Sequence, residues 1–192
     1  MAGLALGLLR AMGENAASAG LGKPGKHLWL RGCIAGWLLT LVALELGELV
    51  VEVYGVLANV FSMHGLLVRL TAVDRRTDIT TIVSVTRHPV QFWGVVLVGT
   101  FLVPVAEELF FRGLVYRLVE RHSSSTWAII VSSLIFAAAH GGPIRFATLF
   151  VLGVFIAVAR QKTGSVWQGM IMHMTLNGTM FALLYFKMIS LK

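Results

Sequence analysis

The stretch that decides the fold class is VQFWGVVLVGTFLVPVAEELFFRG, residues 90–113. Its first half is apolar, as a helix must be over about 20 residues to cross a bilayer, whereas its end carries Glu107, Glu108 and Arg112. Charged side chains inside hydrocarbon cost free energy and usually serve a function there. The stretch therefore predicts a membrane helix that carries part of a functional site.

The composition of the whole chain also indicates a membrane protein. Of its 192 residues, 57% are hydrophobic and 13% are charged, about half the charged fraction of a soluble domain. The mean hydropathy is +0.81. Such a chain has too little polar surface to coat a water-soluble globule. We therefore expect an integral, multi-pass membrane protein whose first partner is the lipid bilayer.

The net charge of +7 is explained by the same environment. The basic residues lie mostly in the breaks between apolar runs, where cations flank membrane helices and meet anionic headgroups. We therefore expect no nucleic-acid partner. Cys33 is the only cysteine, which excludes an internal disulfide or a thiolate metal cluster.

Apolar runs and helix breakers divide the rest of the chain. They predict an all-α, multi-pass transmembrane helical bundle with about five membrane helices, at about 28–68, 90–121, 127–140, 144–160 and 165–186. The first run is longer than one crossing needs. It is either one long tilted helix or a crossing followed by an interfacial piece near 59–64. We also predict a polar loop over 71–88 and a kink at Pro104.

We expect a single transmembrane domain over residues 28–192, with the candidate functional residues in a core at about 90–180. The preceding residues 1–27 begin with an apolar run, but Gly3 and Gly7 interrupt it and no Lys or Arg precedes it. This segment is therefore predicted to be an interfacial or poorly ordered N-terminal tail rather than a signal peptide.

The acidic pair at the end of the second run has two unlike members. Glu108 and Arg112 are four residues apart, acid before base, so they share a helix face and can form an ion pair. Glu107 points about 100° away and has no basic residue three or four positions on. An unpaired, partly desolvated carboxylate suits general-base chemistry on water. The plainer alternative is a solvated helix end with an ordinary ion pair.

Three more polar residues fall within apolar runs. His140 ends the third run, while His173 and Asn177 share one face of the fifth. Each of them alone is more simply explained as a hydrogen-bonding group between helices. Counted along the helix axes from one side, however, they and Glu107 lie about 12–21 Å deep, in one layer near mid-membrane. Independent structural hydrogen bonds have no reason to share a layer, so we predict a common site.

Three motifs are thus spaced through this region: Glu107-Glu108…Arg112, Phe136…His140 and His173…Asn177. In this order they resemble the EExxxR, FxxxH and HxxxN motifs of the CPBP family of intramembrane proteases, also called the CAAX protease and bacteriocin-processing or Abi family. The resemblance covers roughly residues 90–180 and implies an intramembrane endopeptidase. It also implies that Glu108 and Arg112 buttress the site.

The resemblance further implies how the remaining residues divide the reaction. Glu107 and His140 would activate the attacking water, while His173 and Asn177 would hold the oxyanion; an Asn amide can donate to an oxyanion and is a poor zinc ligand. The family is often labelled metalloprotease, so zinc is a candidate cofactor, with Glu107, His140 and His173 as its ligands. Because the sequence has no His-Glu-x-x-His helix, we favour water activation without a metal.

The substrate class stays open on the sequence alone. The resemblance allows a prenylated C-terminal CAAX protein, a bacteriocin-type leader peptide or a membrane-protein segment. Two other functions are also open: a non-catalytic membrane immunity or scaffold protein of the same fold, and a small ion or solute transporter. The transporter would use Glu45, Glu48 and Glu52, which share one face of the first helix, although packing or solvation explains them more simply.

Overall fold

A computed structural model describes residues 2–11, 13, 15, 17–77 and 89–190. Within these ranges the chain forms no strand, and its helices are α1 Ala2–Ala11, α2 Leu28–Val60, α3 His64–Thr77, α4 residues 89–122, α5 Ser125–Ala139, α6 Phe146–Thr163 and α7 Val166–Ser190, with a π-helical turn at Ala17–Leu21. Helix α4 is a continuous run of five segments, of which the second and fourth are π-helical: Pro89–Leu97, Val98–Leu102, Val103–Glu108, Leu109–Val115 and Tyr116–His122. The predicted all-helical membrane bundle is confirmed.

Within the part of the chain that the structure describes, three helices are long and apolar enough to cross a membrane: Leu28–Val60, Val90–His122 and Phe146–Thr163. Helix α5 is apolar but has only 15 residues, so at about 22 Å it is shorter than a hydrocarbon core of about 30 Å. Helix α7 has 25 residues but carries the polar residues of the third motif. The first half of the long helix α4 is apolar, and its second half carries the acidic pair.

The first apolar run is divided between two helices. Helix α2 ends at Val60, the chain turns over residues 61–63, and α3 begins at His64. The first apolar run is therefore two helices joined by a turn, rather than one long helix. Glu45, Glu48 and Glu52 are all exposed on α2.

Close packing of α7 against α2 and α6 forms the largest part of the core. A Cβ at Gly36 of α2 would lie 2.5 Å from the carbonyl oxygen of Met172, and one at Gly32 would collide with the Ile171 side chain. Small residues at a helix crossing allow this approach and the van der Waals contact that comes with it. The buried side chains at the junction of the three helices are Leu39, Ala43, Leu152, Ile156, Met172 and Leu176.

The predicted polar loop is wrong over its first residues, because 71–77 form the last turns of α3. The half-buried residues of this helix are Leu67, Leu70, Thr71 and Asp74, whose spacing of i, i+3, i+4 and i+7 forms one face. The prediction took polarity as the mark of a loop, whereas a helix needs only one face for packing. Residues 78–88 lie outside the described residues.

The described residues of the N-terminal segment, predicted as an interfacial or poorly ordered tail, include a helix that packs against α4. Ala5 and Leu9 of α1 are four residues apart and form a stripe on one face. This stripe belongs to a cluster shared by α1, the π-helical turn and α4: Ala5, Leu9, Ala19, Phe110 and Leu114. Gly3 and Gly7 have open space where a Cβ would point, so the glycines that interrupt the apolar run do not interrupt the packed face.

Candidate active site

Helix α4 carries its two neighbouring carboxylates into different environments. Glu108 is fully buried, whereas the side chain of Glu107 is 15% exposed. Successive residues of a helix point about 100° apart, which separates the two carboxylates without any break between them. The difference that the sequence predicted between them is therefore present in their surroundings.

Glu108 is the centre of an ion-pair network that joins three helices. Its Oε1 accepts hydrogen bonds from Nη1 of Arg112 at 3.1 Å and from Nδ1 of His173 at 3.1 Å. Arg112 is also fully buried, and its Nη2 donates to the carbonyl oxygen of Gly153 on α6 at 2.9 Å. The predicted i, i+4 pair is thus formed, and it ties α4 to both α6 and α7.

Gly169 of α7 makes room for the network. A Cβ there would lie 2.9 Å from Oε2 of Glu108 and 2.8 Å from Cγ2 of Ile156, closer than packed side chains tolerate. The sequence analysis missed this residue. The sequence feature that could have indicated it is its position four residues before His173. This spacing places a residue without a side chain on the same helix face as the histidine.

Phe136, the first residue of the second motif, is the packing centre of the site. It is buried, and its ring centroid lies 4.6 Å from the His140 ring and 5.8 Å from the His173 ring. The guanidinium carbon of Arg112 lies 4.6 Å from the same centroid, which is a favourable cation–π distance. The phenylalanine therefore positions the polar groups by packing against all three.

Glu107 lies between two imidazoles. Its Oε1 is 3.8 Å from Nε2 of His140, and its Oε2 is 3.8 Å from Nε2 of His173. Both distances exceed a hydrogen bond, so the three groups border a common space without bonding directly to one another. In the described part of the chain, Oε2 of Glu107 has no hydrogen-bond partner. A carboxylate placed in this way is suited to bind a molecule that enters the space.

The other ring nitrogens fix where the two histidines carry their protons. Nδ1 of His140 lies 2.8 Å from the carbonyl oxygen of Phe136, and Nδ1 of His173 lies 3.1 Å from Glu108. A carbonyl or an ionised carboxylate can only accept, so each Nδ1 carries a proton. A neutral ring then points the lone pair of Nε2 toward Glu107, while a protonated ring points an N–H there.

Asn177 is bound to a break in α4. In the first π-helical segment the N–H of Val103 donates five residues back, to Val98. The next N–H would reach Gly99 in the same pattern, but residue 104 is proline and has none. The side-chain amide of Asn177 donates to the Gly99 carbonyl oxygen instead, at 2.9 Å. The kink predicted at Pro104 thus has a local counterpart in this π-helical turn, and the amide keeps a second N–H beyond this bond.

A further set of contacts holds the chain that follows His140. Asp74 of α3 accepts from the backbone N–H of Ile144 at 2.9 Å and from Nε of Arg145 at 3.3 Å. A Cβ at Gly142 would collide with the same carboxylate. The glycine at this position therefore leaves room for the Asp74 side chain. The sequence analysis missed these contacts because it placed Asp74 in a loop.

The predicted zinc ligands, Glu107, His140 and His173, lie slightly farther apart than the ligand atoms of a bound zinc ion. Two ligand atoms on a tetrahedral zinc, with bonds of about 2.0–2.1 Å, lie about 3.4 Å apart. Both oxygens of Glu107 are farther than this from the histidine nitrogens, at 3.8 Å. Nowhere in the described ranges do three His, Cys, Asp or Glu residues group so that they could hold a metal ion.

Comparison with known proteins assigns this region to a family. Residues 89–179 match the Rce1-like family, described as type II CAAX prenyl endopeptidase. Over this segment, just under half of the chain, the sequence is similar to the Rce1-like family. The Rce1-like segment spans α4, α5, α6 and the first half of α7, so it contains all three motifs. No curated protein and no solved structure matches the chain. The match and the apolar helices together indicate an integral membrane protein that is similar, over this segment, to a protease family.

Proposed function

We propose that this protein is an intramembrane endopeptidase that hydrolyses a peptide bond with water activated by Glu107 and His140. The observation that carries the proposal is the position of Glu107, 3.8 Å from Nε2 of His140 and 3.8 Å from Nε2 of His173. Its neighbour Glu108 is held in the ion-pair network. Helix α4 therefore supplies one carboxylate for structure and one for chemistry.

The attacking water binds between Glu107 and His140. Because Nδ1 of His140 donates to the Phe136 carbonyl, the neutral ring accepts a hydrogen bond from the water at Nε2. Glu107 takes the other proton of the water as its oxygen attacks the scissile carbonyl carbon. A base positioned in this way contributes about 10²–10⁴-fold to the rate.

The negative charge then develops on the carbonyl oxygen of the substrate. Protonated His173 donates to it from Nε2 while Glu108 holds its Nδ1, and the second N–H of Asn177 is the other donor. One such donor contributes about 10²–10³-fold. Glu107 passes its proton to the leaving nitrogen as the C–N bond breaks, which yields a carboxylic acid and an amine.

The proposed substrate class is the C-terminal segment of a prenylated CAAX-type protein, rather than a leader peptide. The family match supports this choice, and so does the setting, because the site lies among helices whose outer faces are apolar. A prenyl group partitions into such surroundings, where each buried CH₂ contributes about 0.8 kcal/mol. The lipid would thus bring the scissile bond to the depth of the site.

The test compares purified wild type with Glu107→Gln, His140→Ala and Glu45→Gln in proteoliposomes. The substrates are a quenched prenylated CAAX peptide, its unprenylated counterpart and a leader-type peptide, each with and without a chelator of divalent metals. We expect cleavage of the prenylated peptide by wild type and Glu45→Gln, with loss in the other two variants and no effect of the chelator.

The other outcomes each exclude part of the proposal. Preference for the leader peptide would overturn the substrate class but not the mechanism, whereas inhibition by the chelator would overturn metal-free activation. Cleavage unchanged in Glu107→Gln would overturn the catalytic assignment. A folded wild type that cleaves nothing but conducts ions in a Glu45-dependent manner would identify a transporter, and binding of the peptide without turnover would identify a scaffold.

A further inference from the structure

A cavity of about 610 Å³ lies where the start of α2, the end of α6 and the start of α7 meet. Its lining has two parts of different chemistry. Side chains that can bind an anion or a polar group contribute Lys23, Lys26, Arg31, Lys162, Thr163, Ser165 and Gln168. Apolar side chains contribute Leu28, Ala35, Phe155, Val158, Ala159 and Met172. The cavity is therefore amphipathic, with cations on one part and hydrocarbon on the other.

The cavity lies at the end of two candidate membrane spans. One span begins at Leu28 and another ends at Thr163, and both residues line the cavity. Trp167, beside it, is partly exposed, and its indole Nε1 donates to the carbonyl oxygen of Gly22 at 3.1 Å. Trp29 is 70% exposed at the same end of α2. Exposed tryptophans concentrate at the depth of lipid headgroups, so the mouth of the cavity lies at that depth.

Charge selects the kind of headgroup. The four cations of the lining are exposed, and none of the described residues that line the cavity is acidic. The nearest acidic residue along α2 is Glu45, about 20 Å along the axis from Arg31. A zwitterionic headgroup would bring a cation into this positive field, whereas a headgroup with net negative charge would not.

Two helix ends add to the same field. Helices α2 and α7 both begin at the cavity, and the N-terminal residue before α2, His27, makes no side-chain capping bond. The backbone N–H groups of a first turn carry partial positive charge. They lie next to side chains that are already cationic, so the helix ends reinforce the preference for an anion without creating it.

We infer that this cavity binds one anionic phospholipid, with its phosphate among Lys26, Arg31 and Lys162 and an acyl chain along Phe155 and Met172. Phospholipid is favoured over a soluble anion because the lining combines basic side chains with apolar ones. The lipid site is separate from the candidate active site. Met172 and His173 are neighbours on α7, and neighbouring residues of a helix point about 100° apart.

The experiment measures lipid binding to the full chain by native mass spectrometry. Protein in mild detergent is titrated with phosphatidylglycerol and with phosphatidylcholine of identical acyl chains. The variant Arg31→Ala/Lys162→Ala is compared with Arg69→Ala/Lys187→Ala, which removes the same charge from exposed positions elsewhere. Arg31→Lys/Lys162→Arg keeps the charge and controls for folding.

We expect wild type to bind phosphatidylglycerol about tenfold or more tightly than phosphatidylcholine. The first variant should lose about thirtyfold in affinity, since each of its two basic residues near anionic lipid contributes about 1 kcal/mol. The two control variants should bind like wild type. Equal binding of both lipids would overturn the inference, and so would an unchanged affinity in the first variant. Displacement of the lipid by glycerol phosphate would assign the cavity to a soluble phosphate, and displacement by the CAAX peptide would assign it to the substrate; either result also overturns the inference.

Discussion

The two carboxylates of the acidic pair on α4 differ in their burial and in their partners. On one side Glu108 is fully buried and accepts two hydrogen bonds at 3.1 Å from cationic or ring N–H donors. On the other side Glu107 is partly exposed and lies 3.8 Å from each of two imidazoles. One helix thus holds a carboxylate whose partners are all protein groups and, one residue earlier, a carboxylate that is free to bind water or substrate. The difference shows how one helix can combine a fixed, hydrogen-bonded carboxylate with a neighbouring carboxylate that remains available to another molecule.

The largest effect is expected from Glu107→Gln, which removes the proposed general base and keeps a side chain of nearly the same size and shape. Activity should fall by about 10²–10⁴-fold, with little change in the thermal unfolding temperature, because Glu107 makes no close ion pair with the rest of the protein. Peptide cleavage and unfolding of the same preparation measure both quantities. Glu45→Gln, an exposed acid on α2, is the control. Equal losses in the two variants would show that the contrast between the carboxylates is not functional.

The opposite pattern is expected from Glu108→Leu, which leaves the buried Arg112 without its partner. Breaking a buried pair in this way costs about 3–5 kcal/mol, so the variant should unfold at a much lower temperature. Replacing both partners, in Glu108→Leu/Arg112→Met, should recover much of the stability. The double variant should stay inactive, because it removes the acceptor that holds Nδ1 of His173. Recovery of activity together with stability would contradict a positioning role for Glu108.

A smaller effect on stability is expected from Asn177→Ala, which leaves the Gly99 carbonyl without its donor. Cleavage should also fall, by about 10²–10³-fold, because the variant lacks one of the two proposed oxyanion donors. An unsatisfied buried acceptor costs about 1–3 kcal/mol. In a Pro104→Ala background the restored backbone N–H can reach that carbonyl, so the stability cost of Asn177→Ala should shrink. Thr179→Ala is the matched control on α7, since its hydroxyl bonds only within its own helix, to Thr175. If Asn177→Ala lowers stability equally with proline or alanine at position 104, the amide does not substitute for the backbone N–H that Pro104 lacks.

The smallest effect is expected from Gly169→Ala, which presses a methyl group against Glu108 and Ile156. Overpacking of this kind costs about 1–3 kcal/mol, and displacement of Glu108 should lower activity through His173. Gly47→Ala on α2 is the control, because it has open space at that point. Unfolding temperatures and cleavage rates of the two variants give the comparison. A Gly169→Ala protein as stable and active as the control would show that Glu108 and Ile156 can move aside for the methyl group without disturbing the network.

Local periodicity was sufficient to predict the contrast between Glu107 and Glu108. Residues four apart share a helix face and residues one apart do not, so Arg112 had to pair with Glu108. Counting residues along the helices also predicted that His140 and His173 lie at the depth of Glu107. These inferences hold because they depend only on the rise and turn of a helix.

Contacts between distant segments could not be predicted in the same way. The bond from Asn177 to Gly99 depends on a π-helical turn, and a proline indicates a break without fixing its form. The bonds from Asp74 to Ile144 and Arg145 join segments whose pairing nothing in the local pattern indicates. The packed face of α1 likewise becomes visible only when its partner Leu114 is known.

The docking of α1 onto α4 has a consequence for how the protein is made. During synthesis the residues of α1 leave the ribosome before the α4 surface around Leu114, so the apolar stripe of α1 lacks this protein partner until α4 has been made. The contact joins residues far apart in the chain, which is a slow kind of contact to form. The N-terminal helix therefore joins the structure late, after the helix that receives it has entered the membrane.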